Sequence, residues 1–402
     1  MWRLLTAVGL VCGVGTQAIG QEPIARVAPE DFAILAWSHM PNDVNVLREV
    51  YECGFNLAGM VNPEALDAVA AAGLKTLVSH PAMHVVNSRV DRDEAAVAQD
   101  VQAAVEQVGQ HPALFGYYLR DEPPASMFPA LGRYAAALRQ TAPYAAAYIN
   151  LFPNYASPQQ LGSATYAEHL EQYLSIVKPP FLSYDHYALM EDGSLRDLYF
   201  QNLEAVRAAT LAHNVPFWNI VLANAHFTYA EPSPGGLRFQ AYTTLAYGGR
   251  GLSYFTYMSP AVGNYRLAPI DQFGHKTPTW DMLRNVNLQI HALAPTLITL
   301  KSVGVFHHPD VPDGCRALAD SQLVAALDGP GRFVVGEFTG PDDTPYVLVV
   351  NKDLHTSTHF GVKFRQDGTI MQTNSYTGKT SPWHGENNWL AAGQGMLLSL
   401  RK

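Results

Sequence analysis

The chain has 402 residues, a length that suits one large domain and one small domain better than a single ordinary one. Hydrophobic residues make up 48% of the chain, which is enough for a sizeable core. The formal net charge is -9, and the 26 lysines and arginines form no basic block. This charge pattern argues against nucleic acid as a partner.

The first twenty residues have the pattern of a secretory signal peptide. Arg3 provides the charged start, residues 4–14 form a short apolar stretch, and Ala18 and Gly20 are the small residues expected before a cleavage site. The apolar stretch is too short for a membrane span, so we expect no stable membrane insertion. The pattern predicts a secreted or periplasmic protein whose mature chain begins near Gln21.

Two cysteines, Cys53 and Cys315, would remain after cleavage. An oxidising compartment permits a disulfide between them. They fall in different predicted domains, however, and we therefore expect two buried thiols.

Residues 21–300 alternate short apolar runs with longer amphipathic ones. Strands are predicted at 32–40, 56–61, 74–80, 114–121, 145–151, 181–187, 217–224 and 251–257. Helices are predicted at 42–53, 63–72, 94–108, 127–141, 165–177, 197–213, 237–247 and 279–292. Eight such βα units predict an α/β fold, namely a closed (β/α)8 or TIM barrel. An open doubly wound sheet is the alternative, but no glycine-rich phosphate loop follows the first strand.

Residues 301–402 change to short strand candidates separated by turn residues. These candidates are 303–307, 322–327, 332–338, 346–350, 359–364, 369–374 and 395–400. Regular short strands with such turns predict a small antiparallel β-sandwich. We expect this sandwich to pack on the barrel as a structural support.

The fourth predicted strand ends in Asp121 and Glu122, which are followed by Pro123 and Pro124. Two acids at the end of a buried strand are costly unless the strand opens into a site. The simpler alternative is that Asp121 caps the next helix and Glu122 is a solvated residue of its first turn.

Active sites of such barrels lie at the carboxyl ends of the strands, so the residues that close each strand are the candidates for substrate binding. They are Trp37, His80, Asp121, Asn150, His186, Tyr187, His226 and Tyr257. This polar and aromatic set suits a carbohydrate, and no spacing typical of a metal site or a nucleophilic serine accompanies it. We therefore predict no metal and no cofactor. A metal site formed by His80, His186 and His226 together with Asp185 is the minor alternative.

Glycoside hydrolysis needs one protonated and one ionised carboxyl group. Glu122 is the candidate general acid, because burial against Tyr117, Tyr118 or Tyr187 would raise its pKa. Asp121 and Glu122 cannot form the pair by themselves unless the chain turns between them, since adjacent strand residues point to opposite faces. Asp185, which closes the sixth strand, is the first candidate for the second carboxylate. Glu231, in the loop after the seventh strand, is the other.

The barrel with residues 116–123 closing its fourth strand resembles the (β/α)8 glycoside hydrolases, the broad group that includes β-galactosidase-like enzymes. That resemblance implies that Glu122 is the acid/base. Residues 346–353 and 393–400 resemble the β-sandwich often appended to such barrels. The chain departs from the group at strand seven, where a glutamate nucleophile is expected, because residues 216–226 contain no carboxylate.

The Asp121–Glu122 pair is also similar to barrels that hydrolyse N-acetylhexosaminides with substrate assistance. In those enzymes the aspartate orients the acetamido group and the glutamate is the acid. The sequence thus predicts a glycoside hydrolase acting on a poly- or oligosaccharide. The alternatives are a substrate-assisted enzyme of that kind, an inactive carbohydrate-binding protein on the same scaffold, and a lyase or metal-dependent hydrolase. The oligomeric state is not predicted.

Overall fold

The computed structural model describes residues 32–402, and the predicted signal peptide at residues 1–20 lies outside them. Eight parallel strands form a closed barrel in which each strand pairs with the next and β1 pairs with β8. The strands are β1 (Ala33–Trp37), β2 (Leu57–Val61), β3 (Lys75–Val78), β4 (Leu114–Asp121), β5 (Ala146–Leu151), β6 (Leu182–Asp185), β7 (Phe217–Leu222) and β8 (Gly251–Phe255). The predicted (β/α)8 barrel is confirmed.

Helices surround the barrel on its outer face. They are α1 (Val44–Glu52), α2 (Leu66–Ala71), α3 (Glu94–Val108), α4 (Phe128–Thr141), α5 (Pro158–Leu161), α6 (Tyr166–Val177), α7 (Tyr199–His213), α8 (Pro234–Ala246) and α9 (Pro278–Leu297). Side chains that accept backbone hydrogen bonds mark several starts, such as Asp93 before α3 and Thr277 before α9. The short helix α5 was not predicted. It begins at a capping box formed by Ser157 and Gln160, and it lies in the long loop after β5.

The interior of the barrel is filled largely by aromatic rings. Trp37, Tyr118 and Tyr148 contact one another near the carboxyl ends of the strands. At the opposite end Phe181 stacks on Trp218 with ring centroids 3.9 Å apart. The barrel is therefore a packed core, and its upper ring layer forms the floor beneath the strand ends.

Residues after Leu300 form the second part of the molecule. Its strands are β9 (Lys301–His308), β10 (Val324–Asp328), β11 (Phe333–Thr339), β12 (Pro345–Asn351), β13 (Thr358–His359), β14 (Gly361–Phe364), β15 (Thr369–Thr373), β16 (Thr380–Pro382), β17 (Trp389–Leu390) and β18 (Gly395–Arg401). Six of them pair in the order β16-β15-β18-β12-β11-β9, and β10–β14 and β13–β17 form two smaller pairs. The predicted antiparallel β-domain is confirmed.

Alternation along these strands buries both faces of the six-stranded sheet. Val334 and Leu348 belong to the same apolar core as the barrel helices. Their neighbours Val335 and Val347 belong to a second core with Phe333, inside the β-domain. Because successive strand residues point to opposite faces, one face packs on the barrel and the other closes the sandwich.

Within residues 32–402, Cys53 and Cys315 are not joined in a disulfide. Cys53 is buried, as expected, whereas Cys315 is only half-buried. No helix of this part of the chain is long and apolar enough to cross a membrane.

The contact between barrel and sheet yields a test at Gly336 of β11. A Cβ atom there would lie 2.1 Å from the carbonyl oxygen of Ala246 in α8, so backbone would have to move. We expect Gly336→Ala to lower the free energy of unfolding by about 1–3 kcal/mol, measured by chemical denaturation. Gly361→Ala in the same β-domain is the control, because its Cβ would meet Asp328 at an ordinary 3.5 Å. Equal stability of the two variants would contradict this account of the interface.

Candidate active site

The chain turns sharply where β4 ends. Glu122 has a φ of 44°, a left-handed conformation that costs a non-glycine residue roughly 1–2 kcal/mol. Its backbone N–H donates to the carbonyl oxygen of Asn150 in β5 at 2.8 Å, which fixes the turn. This turn breaks the alternation of the strand, so Asp121 and Glu122 can both reach the same site. Strained backbone held in this way is typical of functional sites.

Asn150 connects two of the acidic side chains. Its Nδ2 donates to Asp121 Oδ1 at 3.1 Å and to Asp185 Oδ1 at 2.9 Å. Asp185 closes β6 and is 4% exposed. The carboxyl ends of β4, β5 and β6 are adjacent, which places the carboxyl groups of Asp121, Glu122 and Asp185 in one cluster.

The carboxyl groups of Glu122 and Asp185 lie close enough to affect each other's ionisation. The charge of Glu122 raises the pKa of Asp185, whereas interaction with the Asp185 side chain lowers the pKa of Glu122. Burial, followed by the charge of Asp121, raises the pKa of Glu122 to about 7. The pair therefore holds a shared proton in the neutral range.

Burial is also the main cause of the raised pKa values of the other two acids, Asp185 and Asp121. It raises the pKa of Asp185 well above its usual value, with further increases from the charges of Glu122 and Asp121. It raises the pKa of Asp121 as well, against the lowering effects of the Asn150 hydrogen bond and the Arg120 charge. Asp121 is exposed to solvent at the rim, where water screens its charge.

The structure brings Asp185, and not Glu231, next to Glu122. Glu231 lies in the exposed loop after β7, where its Oε1 is 3.1 Å from Nε of Arg266. The alternative in which Asp121 caps the next helix and Glu122 is a solvated residue of its first turn is wrong. The turn after β4 is a short 3-10 helix at Ala125–Met127, which begins at Pro124 without a side-chain cap.

An aromatic wall borders the acids on the side of β6, β7 and β8. Tyr187 stacks on Phe255 with centroids 5.4 Å apart, and His226 stacks on Tyr265 at 5.0 Å. Tyr187 and His226 meet edge to face at 5.8 Å. Burial, with a smaller effect from Arg266, lowers the pKa of His226 to about 4, so its imidazole is neutral near pH 7. The wall is apolar and uncharged at the place where strand seven ends.

Three residues predicted to bind substrate pack instead against the helices. His80 Nε2 lies 2.8 Å from Oε1 of Gln107 in α3. His186 Nδ1 lies 3.0 Å from Oδ1 of Asn202 in α7. Tyr257 accepts a hydrogen bond from Trp280 of α9. Their part in substrate binding stays a prediction, because strand periodicity does not show which face of a strand end is turned toward the cleft. Trp37 lies on the barrel floor and is 8% exposed.

Three residues near the acids were not predicted, and all lie in loops. The guanidinium of Arg196 lies 3.8 Å over the ring of Tyr155, and its Nη1 donates to Tyr229 Oη at 2.8 Å. Burial and then the charge of Asp185 raise the pKa of Tyr155, which places this ring next to the acids. Counting strand ends cannot find such residues, because they follow the strands by several positions.

Two further observations bear on alternatives. In the part of the chain that the structure describes, no three His, Cys, Asp or Glu side chains form a group able to hold a metal ion. A cavity of about 1330 Å³ is lined by Phe115, Phe181 and Trp218, at the opposite end of the barrel from the acids. The acids, not this cavity, occupy the strand ends where such barrels carry out chemistry.

No family model and no curated protein matches the chain. Solved structures do match. A β-galactosidase from the psychrophilic Marinomonas ef1 is 12% identical, with a TM-score of 0.50 over 68% of this chain and 62% of that chain. A glycoside hydrolase family 5 protein from Bacteroides vulgatus is 11% identical, with a TM-score of 0.58 over 92% and 88%. A catalytic mutant of a GH42 β-galactosidase from G. stearothermophilus is 8% identical, with a TM-score of 0.60 over 94% and 100%.

These likenesses establish the class of fold. The chain has the (β/α)8 architecture of glycoside hydrolases with an appended antiparallel β-domain, and the expected resemblance is confirmed at that level. The chain spans less than two thirds of the Marinomonas enzyme that it resembles.

The raised pKa of Glu122 predicts a pH-dependent cost in stability. Its folded value of about 7 lies above the ordinary 4.5, so ionisation destabilises the folded state as the pH rises from about 4.5 to 7. Glu122→Gln should raise the free energy of unfolding by roughly 1–3 kcal/mol at pH 7.5, a figure reduced for partial exposure, and by almost nothing at pH 4. Urea denaturation at both pH values measures this. Glu231→Gln, which removes one exposed ion pair, is the control, and a gain at pH 7.5 no larger than its own would disprove the prediction.

Proposed function

We propose that the protein hydrolyses a glycosidic bond in a poly- or oligosaccharide, with Glu122 as general acid/base. The observation that carries this proposal is the cluster of Asp121, Glu122 and Asp185 at the ends of strands four and six of the barrel, with the amide of Asn150 joining the two aspartates. A general acid must be protonated near the working pH, and Glu122 has a pKa of about 7. In its protonated form it would donate to the oxygen of the leaving group.

Asp185 is the second carboxylate of the proposed reaction. It is buried, it contacts Glu122, and Asn150 donates a hydrogen bond to its oxygen. An ionised Asp185 would stabilise the positive charge that develops on the sugar ring, or attack its anomeric carbon. Strand seven is followed by Asn224 and a neutral His226, so the acids of strands four and six must supply this charge.

The aromatic surroundings support a carbohydrate substrate. Trp37 and Tyr118 form the floor, and Tyr187 and Phe255 form one wall. Rings with apolar faces suit the apolar faces of sugars. Two of the similar solved structures are β-galactosidases by name, which agrees with this substrate class without specifying the sugar for this chain. We also propose export, on the basis of the signal-like residues 1–20.

A substrate-assisted reaction is the second candidate. The observation that favours it is the convergence of Asp121 and Asp185 on the single amide of Asn150 beside Glu122. Asp121 and Asp185, joined by Asn150, would then orient the acetamido group of an N-acetylated sugar, with Glu122 as the acid.

Substitution of the three acids tests the first candidate. Glu122→Gln should lower kcat/KM by about 10²–10⁴ on an oligosaccharide, and by less on an aryl glycoside whose leaving group needs little protonation. Asp185→Asn should also remove most activity. Glu231→Gln is the matched control and should retain it, because its side chain pairs with Arg266 away from the acids. Full activity of Glu122→Gln would refute the acid/base assignment. Binding without cleavage by the unmodified protein would favour an inactive carbohydrate-binding scaffold.

The two candidate mechanisms separate on paired substrates. A substrate-assisted enzyme should cleave aryl N-acetylhexosaminides and lose at least about 10²-fold in kcat/KM when the acetamido group is replaced by hydroxyl, since the internal nucleophile is then missing. A reaction that uses Asp185 itself should tolerate the hydroxyl substrate. Equal kcat/KM for the two substrates would exclude substrate assistance.

A further inference from the structure

The amide of Asn150 is held from behind by two buried hydroxyl groups. Ser183 Oγ in β6 donates to Asn150 Oδ1 at 3.0 Å, and the phenol oxygen of Tyr148 in β5 lies 2.8 Å from Ser183 Oγ. Tyr148 and Ser183 are fully buried, and Asn150 is 2% exposed. These three residues form a continuous hydrogen-bonded chain beneath the acids.

The direction of every hydrogen bond in this chain is fixed by counting hydrogens. Ser183 has a single hydroxyl hydrogen and gives it to Asn150, so Tyr148 must donate to Ser183. The amide oxygen of Asn150 therefore faces Ser183, and its NH₂ group faces Asp121 and Asp185. The reversed amide would set its oxygen against two carboxylates, an arrangement of acceptors only.

We propose that Tyr148, Ser183 and Asn150 form a positioning relay that stabilises the ionised forms of Asp121 and Asp185 against their burial and so shifts the proton of the cluster toward Glu122. The proposal rests on the function proposed above and deepens it by stating which member of the pair is the acid. None of the three residues needs to contact substrate for this role.

The hydrogen bonds of Asn150 distinguish the acids from one another. Its two amide hydrogens go to Asp121 and Asp185, which favours the ionised form of both. Glu122 receives no side-chain amide hydrogen from Asn150 and instead donates its own backbone N–H to the carbonyl oxygen of that residue. Burial, followed by the charges of Glu122 and Asp121, raises the pKa of Asp185, and the hydrogen bond from Asn150 opposes that increase.

Few other groups can change the charge of this cluster. Arg120 on β4 faces Asp121. Tyrosines approach from the remaining sides: Tyr118 on β4, Tyr148 on β5, Tyr155 in the following loop, Tyr166 on α6, and Tyr184 and Tyr187 at β6. Burial raises the pKa of each of these tyrosines, so they stay neutral across the working range. The charge that varies is thus confined to Asp121, Glu122 and Asp185.

Removal of hydroxyl groups from the relay tests the proposal. Ser183→Ala frees the amide of Asn150, and Tyr148→Phe removes one oxygen from a ring of unchanged shape. With the amide hydrogen bond to Asp185 weakened, the acidic limb of the kcat/KM profile should move up by about one pH unit, as the loss of a hydrogen bond to a charged group predicts. The maximum should fall by about tenfold with KM almost unchanged, and Tyr148→Phe should show the same changes at smaller size.

The barrel offers matched controls for both changes. Ser253→Ala removes a fully buried strand hydroxyl that donates to Leu35, and Tyr254→Phe removes a buried phenol without a hydrogen-bond partner in the described chain. Neither is expected to move the pH profile. Relay variants that behave like these controls would overturn the proposal, whatever their thermal stability.

A second measurement does not depend on glycosidase activity. Carbon-13 titration of the carboxyl groups, assigned with Glu122→Gln, Asp185→Asn and Asp121→Asn, should show Asp185 titrating about one pH unit higher in Ser183→Ala than in the unmodified protein. An unchanged Asp185 titration would overturn the relay even in an active enzyme. A shifted titration in a protein that cleaves no glycoside would support the relay and refute the proposed function alone.

Discussion

Three carboxyl groups in one partly buried cluster cannot all be ionised, and this constraint governs the rest of the site. Each negative charge raises the cost of the next, because little water separates Asp121, Glu122 and Asp185. The cluster therefore retains a proton near neutral pH. A left-handed turn at Glu122 and the single amide of Asn150 decide where that proton lies. The site thus stores unfavourable interactions that the stability of the surrounding barrel must outweigh.

The barrel supplies that stability with the same residues that create the environment of the acids. Tyr118 and Tyr148 pack with Trp37 in the upper layer of the barrel interior, and both also border the carboxyl groups. Their rings exclude water, and this raises the pKa values of the carboxyl groups that lie above them. A polar residue in this layer would weaken the packing of the rings and would also reduce the increase in the pKa values of the acids. The β-domain contributes from outside, where its sheet packs on α8.

The sequence was sufficient for the architecture and for the acids, and insufficient for the side chains around them. Eight alternating runs determine a barrel, and the rule that strand ends carry the chemistry leads directly to Glu122 and Asp185. The same rule does not give the direction of a strand-end side chain, which depends on where the strand stops; Tyr257, for example, accepts a hydrogen bond from Trp280 of α9. It also missed Tyr155 and Arg196, since loops fold back through contacts that no local pattern encodes. Asn150 was predicted to bind substrate, yet its amide is occupied by two carboxyl groups.

The end of strand seven gives the cleft two unlike sides. Glu122 and Asp185 lie on the side of strands four to six, whereas His226, stacked on Tyr265, faces them from strand seven without charge. A carboxylate at strand seven would be a fourth acid beside a cluster that already retains a proton. Its replacement by a neutral aromatic wall therefore agrees with the crowding of acids on the other side. A sugar ring has polar edges and apolar faces, so a cleft divided in this way favours one orientation, with its reacting bond toward the acids.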